Sequence, residues 1–153
     1  MTDVYIHDAV RTPRGKARPD GGLAKLSPQE LVRQQIVALR ARGGDAAAAP
    51  DALLLGCVTQ SGTQGGHIAL VAKLHAGLPQ ETPAHSINNY CASGLSAIGH
   101  AIARVASGEM NSVLAGGVES MSSAPFLGDR ASFYTNAELP PHARFVPPVL
   151  GAR

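Results

Sequence analysis

Residues 84–115 read AHSINNYCASGLSAIGHAIARVASGEMNSVLA, from Ala84 through Cys91 to Ala115. A brief strand is expected at Ala84–Asn88, a helix at Cys91–Ser107 and a buried strand at Ser112–Ala115. That is a β-α-β unit. Between Ala92 and Ala106 the helix carries only one charge, Arg104. Leu95, Ile98, Ile102 and Val105 form an apolar stripe, while Gly94, Ala97 and Ala101 occupy the opposite face. A helix without a polar face belongs inside a large protein, covered on both sides.

Upstream, Asp3–Val10 mixes β-branched and aromatic residues and is expected to be the first strand. Ser27-Pro28-Gln29-Glu30 signals a helix start, with Ser27 as cap, Pro28 at the first position and Glu30 completing a capping box. Leu31, Gln35, Ile36 and Leu39 continue the helical period to Gly43-Gly44. Ala52–Val58 is a continuous apolar run, as in a strand covered on both faces. A short helix is expected over 66–76. The resulting order, β-α-β-α-β-α-β, implies an open α/β sheet with right-handed crossovers. From Met121 onward the pattern gives way to Pro-containing polar and aromatic sequence.

Composition narrows the function classes. The 153 residues are 44% apolar and 16% charged, with a formal charge of +2. Arg11, Arg14, Lys16 and Arg18 cluster without interleaved aromatics, so no nucleic-acid partner is expected and a solvated loop is preferred. No apolar run approaches the roughly 18–20 residues that span a bilayer, so no membrane association is expected. The first six residues lack a signal-peptide pattern, and the two cysteines, Cys57 and Cys91, form no C-x-x-C. A cytoplasmic protein with reduced thiols is expected.

Cys91 stands at a strand-to-helix junction, where backbone N–H groups and the helix dipole favour a thiolate. The same N–H groups can hold an oxyanion when a thioester carbonyl is attacked. A buried structural thiol is the commoner fate of a free cysteine, and that alternative stays open on position alone. For Cys57, inside an apolar strand, the structural reading is preferred.

Local sequence adds a resemblance. Asn88-Asn89-Tyr90-Cys91-Ala92-Ser93-Gly94-Leu95 is similar to the N-x-x-C-x-S-G-L signature of thiolases. Arg11-Thr12-Pro13-Arg14-Gly15 resembles the family's R-T-P-x-G, and Gly56-Cys57-Val58-Thr59-Gln60 its G-x-V-x-Q. Gly116-Gly117-Val118-Glu119-Ser120-Met121-Ser122 resembles G-G-x-E-S-M-S. The four segments occur in the family's order.

The resemblance implies reversible acyl transfer between coenzyme A and a cysteine, by 3-ketoacyl-CoA thiolysis or acetyl-CoA condensation. Cys91 matches the nucleophile, and its backbone N–H matches an oxyanion donor. Coenzyme A and acyl-CoA are then substrates, with no permanently bound cofactor and no metal. A homodimer or tetramer is implied, formed partly through the strand at Ala84–Asn88. The family fold has two similar α/β halves around a shared central helix layer. Residues 1–120 match the N-terminal half, a mixed sheet with helices on both faces, and 121–153 the beginning of a loop subdomain.

The family's G-H-P, N-E-A-F and C-x-G-G-G segments are not among these residues. The fifth strand of the first half, which lies between its first and fourth strands, is also expected outside them. An N-terminal portion, truncated and inactive alone, is therefore expected, with apolar surface uncovered. His100 lies nine positions after Cys91, about 180° round the helix, and cannot replace the missing histidine. His7, His67, His75, His85 and His142 fall outside any matching motif, His85 being nearest along the chain. Alternatives from other classes are a non-catalytic interaction module or half of a two-chain enzyme. Ketoacyl synthases and hydroxymethylglutaryl-CoA synthases share the fold and the cysteine, but S-G-L and G-G-x-E-S-M-S favour thiolase.

Overall fold

A computed structural model describes residues 3–43 and 45–123. The described elements are α1 (Pro28–Gly43), α2 (Asp45–Ala48), β1 (Ala52–Gly56), a 3-10 turn (Gly62–Gln64), α3 (Ile68–His75), β2 (Ala84–Ile87), α4 (Ser93–Ala106) and β3 (Val113–Gly117). The strands form one sheet in the order β2-β1-β3. Both pairings are parallel, with Leu54 opposite His85 on one side and Ala115 on the other. Parallel neighbours need helical crossovers, and α3 and α4 supply them.

β1 is buried at every residue, as its uninterrupted apolar run requires. Leu53 and Leu55 point towards α1 and α3, packing with Val32, Ile36, Ile68, Ala69 and Ala72. Ala52 and Leu54 point the other way, onto Ala97 and Ala101 of α4. The alternation of side chains along a strand thus builds a helix–sheet–helix sandwich around β1. Helices on both faces of an α/β sheet agree with expectation. The three described strands are all parallel.

Arg40 ties the α1 and α3 ends together, donating to the carbonyls of Ala76 (3.0 Å), Gly77 (3.1 Å) and Ala48 (3.3 Å). At the start of β3, the Asp51 carboxylate accepts from the backbone of Asn111 (2.6 Å) and Ser112 (3.1 Å). The Asn111 bond, then the Ser112 bond, holds the Asp51 carboxyl below its ordinary range.

Four expectations change in detail. Residues 3–10 form no strand; Tyr5 and Ile6 are exposed, and Asp8 meets Arg42 at 3.3 Å. A strand persists only where a neighbour satisfies its backbone groups, and none of the described strands pairs with this segment. The capping box at α1 is half formed: Ser27 Oγ accepts from Glu30 N at 3.3 Å, but the Glu30 carboxylate turns to Arg33 (2.7 Å) and His75 (2.8 Å). The charged Arg33 guanidinium outcompetes the neutral Ser27 amide. α3 begins at Ile68 because Gly66 and His67 both hold positive φ, at 63° and 70°. α4 begins at Ser93, two residues beyond Cys91, for reasons given below. The expected loop subdomain falls largely on 124–153, outside the described residues.

Candidate active site

Cys91 is exposed, in a tight turn between the end of β2 and the start of α4. The preceding residue, Tyr90, has φ +48°, a left-handed conformation that a non-glycine residue adopts only when its surroundings enforce it. Ala92 is also non-helical, with φ −93° and ψ 5°. These two conformations delay the helix to Ser93 and leave Cys91 at the crest of the turn.

Side chains on either side enforce the turn. Ser93 is buried; its Oγ donates to Tyr90 O at 2.6 Å and accepts from Asn89 N at 2.9 Å. Asn89 Nδ2 donates to Ser96 Oγ at 2.9 Å. Asn88 Oδ1 accepts from Tyr90 N at 3.1 Å, while Asn88 Nδ2 donates to Val58 O at 2.9 Å. The turn is thereby fastened both to the helix after it and to Val58, just beyond β1.

Two glycines seat the first turn of α4. A Cβ at Gly56 would collide with the Ser93 and Gly94 backbone, and one at Gly117 would stand 3.1 Å from Gly56 O. Gly56 and Gly117 are register partners in β1 and β3. With no side chains between them, the helix N-terminus rests directly on the strand ends. Its dipole and first-turn amides lie next to Cys91, and Ala92 has no side-chain group to cap them.

Behind the turn, Glu119 bridges the strand ends. Its carboxylate accepts from Val58 N (2.8 Å), Thr59 N (3.3 Å) and Gln64 Nε2 (3.1 Å). Gln64 is itself fully buried, donating to Thr59 O and accepting from Ser120 N. Cys57 lies against this carboxylate, with Sγ 3.9 Å from Oε2. Burial, and then the Glu119 charge, push the Cys57 thiol up to about 12. Such a thiol is inert, in keeping with the structural reading of Cys57.

None of the described histidines is hydrogen-bonded to Cys91. His85 lies 3.5 Å from Arg104, which is about 16 Å along α4 from Ser93 at the helical rise. Burial, followed by the Arg104 charge, lowers the His85 pKa. His67 bonds Ser86 (3.0 Å) and His75 bonds Glu30 (2.8 Å). His100 is exposed on α4, and His142 lies outside the described residues. Nor do the described residues contain a His, Cys, Asp and Glu cluster able to hold a metal, or a helix long and apolar enough to cross a membrane.

A family model described as "Thiolase, N-terminal domain" matches residues 4–140. The chain belongs to the thiolase family. The β-ketoadipyl-CoA thiolase of Pseudomonas knackmussii is 43% identical over 130 residues, covering 84% of this chain and 32% of that protein. The 3-ketoacyl-CoA thiolase of Bacillus subtilis is 37% identical over 128 residues, again 84% of this chain and 32% of the relative. Among solved structures, the Bacillus anthracis acetyl-CoA acetyltransferase is similar with a TM-score of 0.63 and 34% identity, covering 69% of this chain and 26% of that one. The chain spans about a third of the length of these curated relatives.

Within the thiolase frame, three of the four motif segments meet around one end of the sheet. Gly56–Gln60 continues β1, Asn88–Leu95 forms the turn, and Gly116–Ser122 continues β3. The fourth, ending at Gly15, borders a shallow cleft with Lys16, Leu31, Glu119 and Ser120. Asn88 and Glu119 have roles here that sequence reading left unassigned. A lone acid following an apolar strand, as Glu119 does after Val113–Gly117, was the available signal for a carboxylate clamp.

Proposed function

We propose that Cys91 is the acyl-accepting nucleophile of a thiolase-type acyltransferase, to which this chain contributes the N-terminal portion. The observation that carries this reading is the exposed Cys91 thiol, held at the crest of an enforced turn against the N-terminus of α4. In thiolysis, Sγ bonds to the keto carbon of a 3-ketoacyl-CoA and the bond from that carbon to Cα breaks. The electron pair leaves with the acetyl-CoA fragment, which is then protonated. A CoA thiolate next takes the acyl group and returns the Cys91 thiolate. Splitting one difficult transfer into two through a thioester lowers each barrier. The backbone N–H of Cys91 is suited to donate to the carbonyl oxygen as it gains charge.

Residues 1–120 serve as the α/β half, and 121–153 open the loop subdomain. The proton-transfer histidine and second cysteine come from the family's G-H-P and C-x-G-G-G segments, outside these 153 residues. The relatives' names, β-ketoadipyl-CoA thiolase and 3-ketoacyl-CoA thiolase, support 3-ketoacyl-CoA substrates. From the family resemblance alone, the enzyme is further proposed to be cytoplasmic and to work as a homodimer or tetramer. The decisive experiment incubates the complete enzyme with acyl-CoA, quenches it in acid and maps the acyl group by mass spectrometry. A thioester on Cys91, absent in Cys91→Ala, is expected; acylation elsewhere, or none, overturns the assignment.

A further inference from the structure

We propose that Asn88 is a positioning residue for Cys91, its side-chain amide bolting the nucleophile turn to Val58, in the segment just beyond β1. The inference rests on the reading of Cys91 as the nucleophile. Asn88 spends both ends of its amide on this link: Nδ2 on Val58 O at 2.9 Å, and Oδ1 on Tyr90 N at 3.1 Å. Tyr90 is the residue in the left-handed conformation immediately before Cys91, so the bond to its N–H acts on the peptide that sets the direction of Cys91.

The anchor at the other end is immobilised independently. Val58 N donates to Glu119 at 2.8 Å, Thr59 N joins the same carboxylate at 3.3 Å, and Gln64 closes the cluster from within the core. A continuous path therefore runs from the half-buried Glu119 clamp through Val58 and Asn88 to Tyr90 and Cys91. Ser93 secures the helix side of the turn, and Asn88 bonds its strand side to Val58, two residues beyond β1. Asn88 is exposed, so its bonds stand outside both hydrophobic clusters that hold the fold together. Its loss should loosen the turn and leave the sandwich in place.

The test compares two reactions of Cys91 in the complete enzyme. With S-phenyl thioacetate, Sγ bonds to the acetyl carbon and thiophenolate leaves with the electron pair of the broken C–S bond. With iodoacetamide, Sγ displaces iodide and no oxyanion forms. Both consume the same thiolate, so the ratio of their rates cancels the ionised fraction and reports how well the turn supports attack on a thioester. Rates are read at Cys91 by mass spectrometry, with circular dichroism recording the fold.

The wild-type ratio should exceed that of an unstructured peptide spanning residues 88–95. Asn88→Ala should lower it on the order of tenfold, since small misplacements of a reacting group carry penalties of that size or more. Asn88→Asp keeps the acceptor for Tyr90 N and loses the donor to Val58 O; its ratio should fall between the two. It also serves if Asn88→Ala fails to fold. Ratios within twofold of wild type in the folded variants overturn the positioning role while leaving the nucleophile intact. A wild-type ratio equal to the peptide's removes the nucleophile reading itself, and the inference with it.

Discussion

The two cysteines have the same side chain and opposite environments. Cys57 is enclosed by apolar residues and faces a carboxylate; Cys91 is exposed beside a helix N-terminus. Iodoacetamide at pH 8 should therefore label Cys91 and spare Cys57, as peptide mapping would show; equal labelling of both would contradict the burial of Cys57. The Cys57 thiol, ordinarily near 9.0, is raised to about 12 in the folded chain. The native state holds that proton more tightly than the unfolded one, so this contribution is fully present below pH 9 and declines as pH rises towards 12. The stability of wild type relative to Cys57→Ala should fall across that window in denaturant titrations. A difference independent of pH would show that burial does not govern the thiol. Glu119 makes a separate demand: Glu119→Ala strands Val58 N and Thr59 N without their acceptor and leaves Gln64 Nε2 only Thr59 O. Part-buried donors left unsatisfied set the expected loss at roughly 1–3 kcal/mol by urea unfolding, and a loss below about 0.5 kcal/mol would show that the clamp is idle.

Among the elements, the strand–turn–helix around Cys91 was legible because short motifs encode close backbone packing. Gly56, Gly94 and Gly117 stand where α4 approaches the strand ends, and each lies in a segment the sequence marks out. Less legible was where α4 starts. Periodicity and small residues run back to Cys91, whereas the backbone turns left-handed at Tyr90, a conformation its residue type does not announce. Asp3–Val10 failed for another reason: β propensity describes a residue's fit to a sheet and cannot supply the neighbouring strand. The Gly56 approach is directly testable. Gly56→Ala forces its new methyl into the Ser93–Gly94 backbone, which has no flexible side chain to yield. Overpacking of this kind costs about 1–3 kcal/mol, and the displaced helix start should also slow thioester attack by Cys91. Unchanged stability with unchanged Cys91 reactivity would mean that α4 does not need the bare strand end.

At the scale of the whole molecule, α4 presents its small face inward and its large face outward. Ala97 and Ala101 lie against Ala52 and Leu54, whereas Leu95 is 72% exposed, Ile102 43% and Ile98 37%. Sequence periodicity separated these two faces, but it did not say which would take the sheet. Close packing on glycine-bearing strand ends selects the small one. The described residues thus form a complete interface on one side of α4 and leave an apolar stripe on the other, as the central helix layer of the thiolase fold implies. Sinking a leucine or isoleucine side chain is worth about 1.5–3 kcal/mol, so the stripe is a source of self-association rather than of stability in this chain alone. Leu95→Glu combined with Ile102→Glu should weaken concentration-dependent association in sedimentation velocity and reduce binding of a hydrophobic dye. The melting temperature should shift by less than about 4 °C, because the replaced groups contribute little to the existing core. Ala97→Glu, by contrast, places a charge between helix and sheet and should abolish cooperative melting. If the double variant melts far lower than wild type while association persists, the stripe is already covered in the isolated chain, and the outward face of α4 is not the surface that awaits the rest of a thiolase.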